Sequence, residues 1–274
     1  MKLPGLDRLG SVGYVGERKA LALLCLGFYT TMFFLIGLSA RTELPEWLPV
    51  FIGMTLIYIT AFFGVAAEWF WGRWFATGLG YWGCTMAIMA FVTTRTLPAP
   101  MVIFGLMHGL ISLCLMGEKM AAAFDAKPAW REKWKLDEQG VIRVKRSVTR
   151  AASSLPALIM FALAPREGQD AYGHSLVDGS ALFLVLAGAS AFVGLLATRR
   201  TWAVMALGAT GVVTTVMAVH GLHLWSSHSY VDVMFVPHAQ QLFQGAGLFA
   251  GAALIASSLP FVGPAAAFLL RGRR

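Results

Sequence analysis

The chain has 274 residues, of which 57% are hydrophobic and only 13% are charged. An ordinary soluble domain carries about 25% charged residues, so this deficit excludes that class of protein. Several apolar runs are close to 20 residues long, which predicts membrane-spanning helices. The net charge of +8 could indicate a nucleic-acid partner, but its distribution along the chain indicates a membrane surface instead.

The first apolar run follows a polar leader, residues 1–19. It covers residues 20–40 and is longer than the core of a signal peptide, which has about 7 to 15 apolar residues. We therefore predict an uncleaved first span. The predicted spans, in chain order, are residues 20–40, 47–67, 75–93, 100–116, 151–165, 179–198, 201–219 and 242–270.

The fifth predicted span, residues 151–165, is short and contains Pro156, so it could instead be re-entrant. The positions of lysine and arginine favour a crossing. The chain has 22 Lys and Arg residues. If eight spans cross from a cytoplasmic N-terminus, only three of them lie outside: Arg41, Arg95 and Arg166. Without the fifth crossing, five arginines nearer the C-terminus move outside as well. The positive-inside rule therefore predicts an all-α bundle of eight transmembrane helices with both termini cytoplasmic, and seven helices are the alternative.

A charged segment, residues 117–150, separates the fourth and fifth predicted spans. It carries nine Lys or Arg and five Asp or Glu residues. This pattern predicts a basic cytoplasmic connector within a single transmembrane domain, 1–274, that meets anionic lipid and not nucleic acid. The segment is either a solvated connector or a docking surface for a cytoplasmic partner. Within it, residues 135–146 alternate apolar and basic side chains after Gln139 and Gly140, which predicts a small β-hairpin.

Small residues inside the spans predict how the helices pack. Gly105 with Gly109, and Gly247 with Gly251, have the four-residue spacing that lets another helix approach closely. The three cysteines, Cys25, Cys84 and Cys114, lie in separate apolar runs. That separation predicts packing residues and no disulfide framework.

His108 lies between Gly105 and Gly109 and is, apart from the cysteines, the ionisable residue predicted near the middle of the membrane. Neutral imidazole is a good ligand for a haem or a chlorophyll-type pigment, so His108 is a candidate cofactor-binding residue. The favoured alternative is a buried histidine bonded to a neighbouring helix. The scarcity of other intramembrane charges argues against a proton-coupled transporter with an acidic carrier residue.

Four of the six histidines lie in residues 220–241, a loop predicted on the external side. His220 and His223 are three residues apart and share a helix face, and His228 and His238 follow them. These four residues are candidate ligands for a transition metal, since imidazole suits zinc and copper. The alternative is an interfacial loop whose histidines lie at the water boundary.

Catalytic signatures are lacking in the sequence. It has no GxSxG with a partner histidine, no P-loop and no dinucleotide fingerprint. The leading hypothesis is a non-catalytic protein of the bacterial inner membrane, an accessory or scaffold subunit that contacts lipids and other membrane subunits. The alternatives are a metal-, haem- or pigment-binding membrane protein with an external histidine site, and a carrier for a neutral or lipidic solute.

Overall fold

The computed structural model describes residues 14–43, 45–94, 99–125, 137–163, 184–192, 201–219 and 239–271. Within these ranges the regular secondary structure is helical, and no strand occurs. The chain divides into two compact units, Met1–Glu138 and Gln139–Arg274, which we call unit 1 and unit 2.

Unit 1 consists of long helices joined by short turns. Helix α1 packs against α2 and α4, and α3 packs against α2 and α4 as well. A 71° bend separates α4 from the short α5, and Gly117 in this bend has a φ of 100°, which glycine adopts without strain. The described helices are α1 (Val15–Glu43), α2 (Leu48–Ala66), α3 (Gly72–Thr94), α4 (Ala99–Leu115) and α5 (Glu118–Asp125), with a 3-10 turn at Pro45–Trp47.

Consecutive long helices of unit 1 run antiparallel. Between α1 and α2, Gly27 faces Phe62 and Gly37 faces Phe51, so the residue numbers move in opposite directions. Between α3 and α4, a Cβ added to Gly80 would lie 2.0 Å from Oγ of Ser112. Such close approach requires glycine, because any side chain would push the two helices apart.

Unit 2 contains α6 (Glu138–Leu163), a helical stretch at residues 184–192 that we call α7, α8 (Thr201–Val219) and α9 (Ala239–Arg271). Helix α8 packs along much of α9. Two contacts between α8 and α9 show that these helices are antiparallel: Gly208 faces Ser258, while Gln244 donates a hydrogen bond of 3.1 Å to the carbonyl of Ala218.

The glycine pairs predicted from the sequence lie at helix contacts. Gly105 faces Ala87 of α3. The two glycines of α9 face different neighbours: a Cβ on Gly247 would lie 2.4 Å from the ring of Phe161 in α6, and one on Gly251 would lie 2.1 Å from Oγ1 of Thr215 in α8. Gly247 and Gly251 therefore seat α9 against two helices at once.

Within the described ranges, five helices are long and apolar enough to cross a membrane: Val15–Glu43, Leu48–Ala66, Gly72–Val92, Trp202–Val219 and Gln244–Pro264. A sixth results if α4 and α5 are counted as one bent span. The prediction of an all-helical, multi-pass membrane protein is confirmed at this level. Of the other predicted spans, residues 151–165 largely form the second half of α6, and 179–198 overlaps α7.

The predicted β-hairpin at residues 135–146 is wrong, because α6 begins at Glu138 and is helical throughout. The apolar residues that seemed to alternate continue a longer helical stripe. Val141, Val144, Val148, Ala151 and Leu155 are all buried, at intervals of three or four residues. A spacing of three and four residues places side chains on one face of a helix. The alternating residues, 141–146, form a segment too short to distinguish this helical spacing from alternation.

Helix α6 also includes parts of two segments that were predicted separately from the sequence, with a boundary at residue 150. Its first half belongs to the predicted connector and its second half to the predicted fifth span, with no break between them. From Ala151 to Leu163 almost every side chain is buried, whereas Ile142, Lys145 and Arg146 are exposed. The connector therefore ends in a helix that extends directly into the protein interior.

We expect Gly251→Ala to destabilise unit 2 by about 1 to 3 kcal/mol, because the new methyl group would overlap Thr215 and force α8 and α9 apart. The measurement is thermal stability of the purified protein in detergent. Gly263→Ala on the same helix is the matched control, since a Cβ there meets nothing within 4 Å. Equal stability of the two variants would contradict this account of the contact.

Candidate functional site

His108 lies at the centre of unit 1 and is completely buried. Its Nδ1 lies 2.7 Å from the carbonyl oxygen of Phe104, one turn earlier in α4. Its Nε2 lies 2.5 Å from the hydroxyl of Tyr58 in α2. Because a carbonyl oxygen can only accept, Nδ1 carries the proton. A second proton would charge an imidazole that is completely buried, which is costly, so Nε2 stays unprotonated and accepts the hydrogen bond from Tyr58. The imidazole is therefore neutral, with both nitrogens bonded.

Aromatic side chains from α1, α3 and α4 itself surround His108. The ring centroids of Tyr29 and Phe104 lie 4.3 Å and 4.1 Å from that of His108, and Trp82 lies edge-on at 5.7 Å. The hydroxyl of Tyr29 donates a 3.2 Å hydrogen bond to the carbonyl of Phe104. Trp82 Nε1 is buried and has no hydrogen-bond acceptor among the contacts of the described residues.

Helix α3 reaches the same centre through a glycine. A Cβ added to Gly83 would lie 2.0 Å from Cγ of His108, so the imidazole lies directly on the α3 backbone. All four long helices of unit 1 thus meet at His108: α1 through Tyr29, α2 through Tyr58, α3 through Gly83 and α4 through the histidine itself. We call these residues, together with Trp82 and Phe104, the His108 centre.

The contacts of His108 bear on its predicted role as a haem or pigment ligand. Tyr58 occupies the lone pair of Nε2 that a metal would need. A bound haem or chlorophyll would therefore require the Tyr58 hydroxyl to move away. The arrangement is that of the alternative interpretation, a buried histidine bonded to a neighbouring helix, and cofactor binding at His108 stays a prediction.

A second polar cluster lies at the end of unit 1 where α1 and α3 begin and α2 and α4 end. Arg18 of α1 donates through Nη2 to the carbonyl of Leu113 at 2.8 Å and to that of Met116. Arg73 of α3 donates to the carbonyl of Leu115 at 3.1 Å. The last carbonyl groups of a helix have no partner within it, so these two arginines supply the missing donors at the end of α4.

Arg73 also forms a buried, two-pronged ion pair with Asp125 of α5, in which Nε lies 3.2 Å from Oδ1 and Nη2 contacts Oδ2. The pair holds the short α5 against the bundle after the bend at Gly117. Two such bonds with parallel geometry are the strongest form of side-chain pairing. Removing either partner of a buried pair costs about 3 to 5 kcal/mol, since the other charge is left buried.

The end of α2 satisfies all four of its terminal carbonyls. The amides of Ala67, Glu68 and Trp69 donate to the carbonyls of residues 63, 65 and 64, and Lys19 Nζ donates to that of Ala66 at 3.1 Å. This turn is a Schellman motif with Glu68 at the left-handed position, at a φ of 54°. Glycine is usual there, and Glu68 in this position forms a 2.8 Å ion pair with Lys19.

In unit 2, an arginine supplies a missing hydrogen-bond donor in the middle of a helix. Pro260 of α9 has no amide hydrogen, so the carbonyl of Ala256, four residues earlier, lacks its usual donor. Arg150 of α6 donates through Nη1 to this carbonyl at 2.6 Å. Because an unsatisfied carbonyl in hydrocarbon costs several kcal/mol, Arg150 makes the proline tolerable at this depth.

The predicted metal ligands His220, His223, His228 and His238 lie outside the described residues, so their arrangement stays a prediction. In the part of the chain that the structure describes, no group of three His, Cys, Asp or Glu residues could hold a metal ion. Metal binding therefore gains no support. Cys25 and Cys114 are buried, Cys84 is partly buried, and all three thiols are free.

An open groove of about 280 Å³ lies between α8 and α9. Its lining is apolar apart from Ser258, and its rim residues Met205 and Val262 are exposed. The groove opens on the apolar outer surface and contains no charged group, so its lining offers no side chain for acid–base chemistry. The lining residues are Val204, Met205, Gly208, Ala209, Ser258, Phe261 and Val262.

Comparison of the chain with known proteins gives no relative: it matches no family model, no curated protein and no solved structure. Arguments about function therefore rest on the geometry of these polar groups alone. Sequence reasoning identified His108 but missed Tyr58 and the roles of Arg18, Arg73 and Arg150. Pro260 within an apolar run was a signal that a donor was needed, but nothing in the sequence indicated Arg150 as that donor.

Tyr58→Phe is expected to destabilise unit 1 by about 1 to 3 kcal/mol, because Nε2 of His108 would be left without a donor in the protein interior. Thermal stability in detergent is again the measurement. Tyr81→Phe serves as the control, since Tyr81 is 42% exposed on α3. If both substitutions had the same small effect, the bond between Tyr58 and His108 would not contribute to stability.

A double-mutant cycle tests whether Arg150 replaces the amide donor that Pro260 lacks in α9. Arg150→Met is expected to destabilise the wild-type chain by about 1 to 3 kcal/mol, since the carbonyl of Ala256 loses its donor. In a Pro260→Ala background the penalty is expected to shrink, because residue 260 then has an amide that reaches Ala256. A coupling of about 0.5 kcal/mol or more in the measured stabilities is expected.

Arg143→Met is the control in this cycle for loss of a positive charge on α6, and it should show no coupling to residue 260. Equal penalties for Arg150→Met in the two backgrounds would show that Arg150 does not substitute for the missing amide.

Proposed function

We propose that this chain is a non-catalytic, multi-pass protein of the bacterial inner membrane that acts as an accessory or scaffold subunit of a larger membrane assembly. The observation that carries the proposal is the use of its buried and half-buried polar groups. His108, Arg73 and Arg150 each bond to a side chain or a carbonyl of another helix. A catalyst or an ion carrier needs such groups to face its substrate, whereas these fix one helix to another.

The proposed topology has eight crossings with both termini in the cytoplasm. The antiparallel contacts within each unit support alternating crossings, and α6 runs antiparallel to α9, as a fifth crossing requires. Arg18, Lys19 and Arg73 lie together at one end of unit 1, while Arg41 is at the other end of α1. This asymmetry supports a cytoplasmic location for the end that carries the three cations.

The outer surface suits contacts with lipids and with other membrane subunits. Many large apolar side chains are exposed on the long helices of unit 1 and on α8 and α9, and charged side chains concentrate near the helix ends. Apolar area of this extent is incompatible with water and is covered by lipid or by partner helices. The most exposed of these side chains in the membrane-spanning helices include Leu24, Leu56, Ile88, Leu106, Met205 and Leu259.

Extraction of the protein from its native membrane tests the subunit proposal. With a mild detergent, or with a polymer that retains a lipid disc, the 29.6 kDa chain should migrate in a larger complex. Cross-linking followed by mass spectrometry should recover the same partner subunits in repeated preparations. Recovery of the monomer alone would overturn the proposal.

Elemental analysis and an absorption spectrum of the same preparation distinguish the proposal from its main alternative. A stoichiometric transition metal would favour the site predicted at His220, His223, His228 and His238. A haem or pigment band that is lost in His108→Ala would favour cofactor binding at His108. Neither signal is expected for an accessory subunit.

A further inference from the structure

One side of α8 is exposed along the whole helix and carries apolar residues at a regular spacing. The exposed positions recur at intervals of three and four residues, which is the spacing of the contact seam in a two-helix coiled coil. Helix pairs in membranes commonly cross with this same left-handed geometry. We call this stripe the α8 seam, and its members are Trp202, Met205, Ala209, Val212, Val216 and Val219.

The composition of the α8 seam differs from that of the exposed surface of unit 1. The large apolar side chains exposed on the described helices of unit 1 are mostly leucine, isoleucine and phenylalanine, with a single valine, Val92. On α8, by contrast, Val212, Val213, Val216 and Val219 are all exposed. Valine in a helix is held almost entirely in one rotamer, so packing it against another helix costs little side-chain entropy. The α8 seam is therefore better suited to a second helix than the rest of the apolar surface is.

The groove between α8 and α9 adjoins this seam, because Met205 and Ala209 line both. Its volume is about 280 Å³. One turn of a helix about 10 Å wide occupies about 400 Å³, so the groove holds a side chain and not a helix. The hydroxyl of Ser258 in the lining already donates to the carbonyl of Ile255 at 2.7 Å. The groove therefore suits an apolar side chain.

Met205 is a side chain of the right kind at the right level. It is 69% exposed, more than any other large apolar side chain of α8. Methionine is unbranched and flexible, and it fills irregular gaps. Two copies of one chain enter the membrane in the same orientation, so the α8 helices of a twofold-symmetric pair are parallel. Equal residues then meet at equal depth, and Met205 of each copy lies level with the groove of the other.

The α8 seam is also long enough for a stable pair. From Trp202 to Val219 it extends about 26 Å, close to the thickness of the hydrocarbon layer. Its large side chains are 49% to 69% exposed. Pairing two such surfaces buries on the order of 1,000 Å² in total, which is the size that a specific interface needs. Helix α8 has no charged residue, so the contact buries no charge of the seam.

We propose that two copies of this chain pair through the α8 seam, with Met205 of each copy inserted into the groove between α8 and α9 of the other. The pairing does not rest on the proposed role as an accessory subunit. A pair of copies without other subunits would support the pairing and contradict that role, whereas one copy within a larger assembly would do the reverse.

Energy transfer between copies in lipid vesicles tests the pairing on the full-length protein. Donor-labelled and acceptor-labelled copies are mixed, and transfer is measured as the protein-to-lipid ratio is lowered. The wild type should follow a monomer–dimer equilibrium. Met205→Ala should weaken the pairing about ten-fold, since truncation of a buried side chain at the centre of an interface has an effect of this size. Leu106→Ala on α4 is the matched control, because Leu106 is also 69% exposed, and it should leave the equilibrium unchanged.

A second variant blocks the groove without removing the methionine. Ala209→Phe places a ring over the groove of its own copy and should abolish the pairing. Both Met205 and Ala209 are exposed, so the thermal stability of the two variants should equal that of the wild type. Equal stability with lost energy transfer separates a lost interface from a lost fold.

Cross-linking gives an independent measurement of the same contact. Under oxidation, Val212→Cys should form a disulfide between copies, because residue 212 of one copy lies opposite residue 212 of the other. Leu106→Cys should not cross-link. The wild type measures the background from its three native thiols.

Three results would overturn the proposal. One is a monomer at every protein-to-lipid ratio, including the case in which native mass spectrometry shows a lipid that is lost in Ala209→Phe, since the groove then belongs to an acyl chain. Another is an equal effect of Met205→Ala and Leu106→Ala on energy transfer. The third is cross-linking of Val212→Cys in native membranes to a different protein alone, which would assign the α8 seam to another subunit.

Discussion

Water is absent from the hydrocarbon layer, so every carbonyl that lacks a helical partner must find a donor within the protein. This constraint organises the polar residues of the chain. Arg18 and Arg73 bond to the carbonyls at the end of α4, Lys19 bonds to the last carbonyl of α2, and Arg150 bonds to the one that Pro260 leaves open. Each donor comes from a different helix than its acceptor, so satisfying the backbone also fixes the helices to one another.

The hydrocarbon environment also explains the glycine contacts and the His108 centre. Without a hydrophobic force between helices in lipid, close packing and hydrogen bonds must hold them together. Gly83 lets α3 lie directly on the imidazole of His108, and Tyr58 completes its hydrogen bonds. One neutral histidine in this position joins four helices without placing a charge in the membrane, which would be far more costly.

The polar groups of the interior are bonded to one another, whereas the outer surface is apolar. In the His108 centre the polar atoms are bonded, apart from the indole nitrogen of Trp82, and the end of unit 1 is closed by the pair of Arg73 and Asp125. The outer surface is different, because many large apolar side chains are exposed there. This contrast between a bonded interior and an apolar surface is the basis of the proposal that the chain assembles with lipids and with other subunits.

The sequence by itself determined the membrane class and most of the long helices, because length and apolar composition fix a span without reference to its neighbours. It also identified the glycine pairs as packing positions, and His108 as either a cofactor ligand or a buried histidine bonded to a neighbouring helix. Residues 138–146 were predicted as part of a β-hairpin and are helical. Over so short a segment, the same order of apolar and basic residues fits an amphipathic helix and a strand. Only the rest of α6, with its buried stripe from Val141 to Leu155, distinguishes the two.

Only the tertiary structure decided which donor reaches which acceptor. Arg150 and Ala256 are 106 residues apart in the chain, and no local pattern links such positions. Tyr58 became the partner of His108 because α2 and α4 meet at one depth. Composition dictates that a chain enters the bilayer, whereas the choice of partners inside it depends on the relative register of packed helices, which is a property of the whole fold.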